Sequence, residues 1–128
     1  MVPDPEGPPA VAPDLRTLGE YLLQDPLRSS VRVLILISLG MNRRLSFTDL
    51  LELTGSSKGS LSHHLDQLSA AGLLRSRMVF TLAGPRIQVE ITPQGLSVYD
   101  RLCRTLSELA PANPPRTSSE GPAAGLSR

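Results

Sequence analysis

The chain is 128 residues long, 40% hydrophobic and only 3% aromatic, with no Trp and a single Cys. That length suits one domain whose core is built from Leu, Ile and Val, and a lone thiol excludes an internal disulfide and a multi-thiolate metal cage. Net charge is +1 but divided: residues 1–25 sum to −4 (Asp4, Glu6, Asp14, Glu20 and Asp25 against Arg16), whereas residues 26–92 set eight basic side chains against four acidic ones.

Residues 1–13, MVPDPEGPPAVAP, are Pro-rich without apolar periodicity and read as a flexible arm. They lack the basic start and apolar middle of a secretory signal, and the longest apolar run, Val33 to Ile37, is too short for a bilayer. A soluble cytoplasmic protein is expected, with a folded domain over 14–110 and a disordered tail over 111–128. Asp14 is placed to cap a first helix, about 14–24, in which Leu15, Leu18, Leu22 and Leu23 share a face. Asp25-Pro26 signals a second start, Asp as N-cap and Pro at the first helical position, with Gly40 as the stop. The VRVLILISL segment inside it also suits a buried strand; cap, length and Gly favour a helix buried on most sides.

Arg43 to Leu45 reads as an extended link. Ser46 or Phe47 then precedes a helix to about Leu53, with Ser46 and Asp49 at capping-box spacing. Thr54-Gly55-Ser56 turns the chain into a further helix, about Ser57 to Ala71, anchored by Leu61, Leu65 and Leu68 and ended by Gly72. Leu73–Leu82 and Arg86–Ile91 alternate as strands do, with Ala83-Gly84-Pro85 as their turn. Thr92 caps and Pro93 opens a last helix, whose stripe of Leu96, Tyr99, Leu102, Cys103, Leu106 and Leu109 exceeds what so small a domain needs for itself. Helix-turn-helix followed by a hairpin is the pattern of a winged helix, so the expected class is mainly α with a small β-hairpin.

At 100° per residue, leucines facing the core turn Ser56, Gly59, Ser60, His63 and Gln67 outward. Small residues and free N–H groups at a helix start admit a phosphate. Ser60, His63 and Gln67 lie about a turn apart, spaced to meet base edges or sugar-phosphate oxygens, while Ser57 and Lys58 suit phosphate. The bland alternative is a solvated polar face. Arg75, Arg77 and Arg86 bracket the hairpin, where an Arg enters a narrow minor groove or merely guards a sheet edge; Arg86 is the one favoured for DNA. Arg43 and Arg44 suit a backbone contact at the rim or a solvated loop equally. Adjacent His63 and His64 point about 100° apart and do not chelate one ion, so neither a metal nor another cofactor is expected. No Gly-rich phosphate loop, paired carboxylates or nucleophile with a base supports an enzyme. Cys103 reads as a small core or interface residue.

These residues resemble the MarR/ArsR-like winged-helix transcriptional regulators, most of all their compact single winged-helix group, over about residues 31 to 102. The most specific pieces are GSLSHHLxxLxxAGLL (Gly59 to Leu74) and ITPQG (Ile91 to Gly95). The resemblance implies a homodimer paired through the first and last helices, about 14–24 and 93–109, with two recognition helices in successive major grooves of double-stranded DNA. It implies that Ser57, Lys58, Ser60, Ser62 and His63 face DNA, with Arg86 in the wing. The wing, about 82–86, is less basic than in many members, and the thiolate motif of the metal-sensing ones is missing. A repressor on an inverted-repeat operator is the expected function, with a small-molecule effector compatible; the alternative is a winged helix used only to bind other proteins.

Overall fold

The computed structural model describes residues 13–109. The expected arm and tail lie outside these residues, except that Pro13 opens helix α1 (Pro13–Leu22). The helix therefore begins one residue ahead of the expected cap, and Asp14 lies in its first turn. A Pro has no N–H to leave unsatisfied there, which suits it to the first helical position.

Helix α2 (Ser30–Asn42) begins later than Asp25-Pro26 signals. Its cap is Ser29, whose hydroxyl accepts from the Arg32 N–H at 3.3 Å. Pro26, joined to Asp25 by a cis bond, sits in the turn before it. Gly40 does not stop α2 either. The ring of Tyr99 occupies the space where a Cβ on Gly40 would stand, so this glycine is needed for close helix packing. The helix runs on to Asn42 and ends at Arg43, held at φ +70° with its N–H bonded to the Leu39 carbonyl at 2.8 Å.

The expected link is strand β1 (Arg44–Ser46), followed by α3 (Phe47–Thr54) and α4 (Lys58–Ala70). Strands β2 (Leu74–Thr81) and β3 (Gly84–Ile91) then lead into α5 (Pro93–Leu109). The sheet is antiparallel in the order β1-β3-β2, so the hairpin carries a third, short strand on its β3 side. The hairpin turn is Leu82-Ala83, earlier than expected, because Thr81 pairs with Gly84 and Pro85 already belongs to β3. The Thr81 hydroxyl fixes it, donating to the Gly84 carbonyl at 2.8 Å and accepting from the Ala83 N–H at 3.2 Å.

The core is aliphatic, as the composition requires. Ile35, Leu36 and Leu39 of α2 meet Leu50 of α3, Leu61 and Leu68 of α4, and Val89 of β3, all fully buried. Each such side chain contributes about 1.5–3 kcal/mol through burial. Helix α5 packs across α1 and α2 with Leu102 buried, yet Cys103 and Leu106 on the same helix are exposed. Among the described residues no helix is long and apolar enough to cross a membrane.

Candidate nucleic-acid interface

The α3–α4 unit is set by local side-chain bonds. Ser46 and Asp49 form a reciprocal capping box at 3.0 and 3.2 Å, which fixes the start of α3. Gly55 ends it in the left-handed region at φ +65°, a conformation that costs other residues more. Ser57 then caps α4, its hydroxyl oxygen accepting from the Ser60 N–H at 3.1 Å. The hydroxyl hydrogen of Ser57 remains free to donate. At the far end, the Leu73 N–H reaches the Leu68 carbonyl at 3.0 Å and Gly72 takes φ +80°, a Schellman-type stop.

Leu61, Leu65 and Leu68 lock the inner side of α4. Ser57, Lys58, Gly59, Ser60, Ser62 and His63 are all exposed over its cap and first two turns. Ser56 and Gln67 are half-buried at the margins of that surface, and the Ser56 N–H bonds to the Thr54 hydroxyl at 3.3 Å. Asp66, one turn beyond His63 and also exposed, adds a carboxylate to that surface. On a reading helix such a group accepts from a cytosine amino group or repels phosphate.

His64 turns the other way. Arg32 of α2 donates through Nη1 to His64 Nδ1 at 3.0 Å, and through Nε to the Pro26 carbonyl at 2.6 Å. A guanidinium has no acceptor, so Nδ1 must carry a lone pair and the imidazole is neutral. Burial pushes the His64 pKa below its ordinary 6.5, and the charges of Arg32 and His63 push it the same way. Asp25 closes the node, 3.5 Å from Arg32 Nη2. Thus α4 is tied to α2 by a polar clamp that only the folded chain reveals.

The wing cations divide. Arg75 and Arg77 bond to the carboxylate of Glu90, a buried residue of the central strand, at 3.3 and 2.9 Å. Their work lies in neutralising Glu90. Arg86 is exposed on β3, its guanidinium bonded to the Pro85 carbonyl at 3.0 Å. Arg43 and Arg44 are also exposed, either side of the α2–β1 junction. Among the described residues no cluster of three or more His, Cys, Asp or Glu is arranged to hold a metal ion.

Residues 31–110 match the family model described as the winged helix DNA-binding domain. The chain belongs to that family. Solved structures agree with the assignment. A transcriptional regulator homologue from Pyrococcus horikoshii OT3 is 27% identical, with a TM-score of 0.61 over 75% of this chain and 92% of that one. A MarR-family transcriptional regulator from Silicibacter pomeroyi is 29% identical, with a TM-score of 0.53 over 74% of this chain and 60% of that one. NadR in complex with 4-hydroxyphenylacetate shares the fold at 24% identity, with a TM-score of 0.57 over 73% of this chain and 67% of that one. No curated protein matches the sequence. This winged helix is a MarR-like, DNA-binding transcriptional regulator and not an enzyme.

Proposed function

We propose that the winged helix acts as a homodimeric repressor on an inverted-repeat operator in double-stranded DNA, with α4 in the major groove and the wing, residues 82–86, near the minor groove. The observation that carries this reading is α4 itself, whose leucines are consumed by the core while Lys58, Ser60, Ser62 and His63 stay open. Ser57 and Lys58 hold phosphates, and Ser60, His63 and Gln67 meet base edges, with Ser56 and Ser62 at the flanks and Arg86 on the wing. Pairing through α1 and α5 is supported by the leucines left exposed on those helices, Leu15 and Leu106, and by Leu23 just past the end of α1. A two-fold pair sets half-sites roughly 34 Å apart, one turn of duplex. Repression is then occupancy of a promoter by the bound dimer.

An effector has a place to bind. A groove of about 480 Å³ between the end of α1 and the start of α2 has apolar walls, among them Leu23, Leu27, Leu34 and Ile37, with Arg28 at its edge. A small apolar molecule bearing an anionic group fits that lining, as 4-hydroxyphenylacetate is bound by NadR.

The test is Lys58→Ala combined with His63→Ala, both exposed. The doubly substituted chain should keep its thermal transition and lose binding to a duplex selected from a random pool. Retained binding would remove α4 from the interface. Affinity of the native chain should fall as salt rises, because phosphate contacts release counterions; indifference to salt would favour a protein-binding module instead.

A further inference from the structure

The hairpin is two-faced in a way its Arg content conceals. Register pairs Leu74 with Ile91, Ser76 with Val89, Met78 with Ile87 and Phe80 with Pro85, so all of these share one face of the sheet. At the base Leu74, Val89 and Ile91 are buried in the core. Further out the same face is open to solvent: Ile87 is 42% exposed, Met78 56% and Phe80 82%, and Leu82 at the turn is fully exposed. The opposite face carries Arg75, Arg77 and Arg86, of which the first two are taken up by Glu90. From Met78 to Pro85 the outer wing holds no charged side chain at all.

We infer that Leu82 is an apolar wedge that enters the minor groove and pries open a base step, so that this regulator bends its operator. The inference rests on the DNA-binding reading above. Proteins that kink a duplex from the minor groove insert Leu, Phe, Ile, Met or Pro between bases and unstack them. A tip made of Leu82 and Ala83 is narrow, uncharged and firmly closed by the Thr81 hydroxyl. Arg86, opposite Val79 on the other face, supplies charge for the phosphate rim, while Phe80 and Met78 follow Leu82 along the sugar walls. DNA is the favoured occupant because the wing lies within the matched DNA-binding domain and because its two faces complement the groove's apolar walls and anionic rim. The step opened is a pyrimidine–purine one, the easiest to unstack.

The full chain, Leu82→Ala and Leu82→Arg are compared on a duplex selected by the native protein. The duplex carries 2-aminopurine at each pyrimidine–purine step in turn and a dye at each end. The native chain should raise 2-aminopurine fluorescence at one step and bring the dyes closer. Leu82→Ala should lose both signals and about tenfold in affinity. Leu82→Arg should recover affinity without unstacking. Unchanged fluorescence and dye distance in Leu82→Ala would overturn the wedge. If Lys58→Ala with His63→Ala abolishes binding in that case, the α4 reading stands alone and the apolar face belongs to a protein partner. A native chain that binds no duplex takes both readings down together.

Discussion

Helix α4 and the outer wing reach the surface with opposite chemistry. In α4 the apolar side is spent on the core and a polar side is left open, whereas the wing buries a carboxylate at its base and exposes Met78, Phe80 and Leu82 further out. The difference follows from what holds each element in place. A helix lying on the core must give it a stripe of leucines, and its free side is then selected for solubility or for a ligand. A hairpin that overhangs the core is held by its own ladder and by Glu90 with its two arginines. Its outer side chains owe nothing to the fold, so apolar ones there mark a contact.

The largest expected effect lies on the helix. Leu61→Ala should cost about 3–5 kcal/mol, since the side chain is fully buried and its cavity can relax only partly. Phe80→Ala should cost less than about 0.5 kcal/mol, as a surface change does. Urea unfolding of the two variants decides the matter, and similar losses would mean that the wing is packed against something within the chain.

A smaller effect separates the wing's base from its tip. Glu90→Ala removes both ion pairs and should lower stability by about 1 kcal/mol, with most of the value lost at high salt because Arg75 and Arg77 are exposed. The same unfolding experiment with and without 1 M salt reads it. On the far side of the sheet, Arg43 occupies a positive φ that an L-residue adopts at a cost. Arg43→Gly should therefore raise stability by about 1 kcal/mol. A loss instead would reveal a contact made by its side chain.

The smallest effect concerns pH and should be confined to the helix. The folded pKa of His64 is lowered, so the unfolded chain binds the extra proton more readily. The stability contributed by neutral His64 is complete above its ordinary pKa of 6.5 and is lost as pH falls from there through the folded value. Amide exchange compared at neutral and mildly acidic pH should show faster opening in α4 near His64, with no matching change at the wing tip. Uniform loosening of both would show that the Arg32 clamp is not the group responsible.

What could be read beforehand was mostly local. Ser46 with Asp49, Ser57, Gly55 and Gly72 each act within a few residues, so the α3–α4 unit and its outward side were legible from spacing alone. Long-range partners decided the rest. Strand β1 has only three residues and no periodicity of its own; it exists because β3 pairs with it. Gly40 looks like a helix stop until Tyr99 is seen to fill the space beside it. Ser29 displaced Asp25 as the cap of α2, a competition between two valid local signals. At the site, the commitment of Arg75 and Arg77 to Glu90, and of His64 to Arg32, depends on cross-strand register and helix packing that no linear pattern reports.

One joint ties the end of α4 to the start of α5. The Thr92 hydroxyl donates to the Gly72 carbonyl at 2.6 Å, Gln94 reaches the Ala71 carbonyl at 3.4 Å, and Gly95 lies so close under the Leu73 carbonyl that a methyl group has no room. The end of α4 and the start of α5 thus share a single weld with no slack. A turn of α5 about its own start would therefore press first on the residues that close α4.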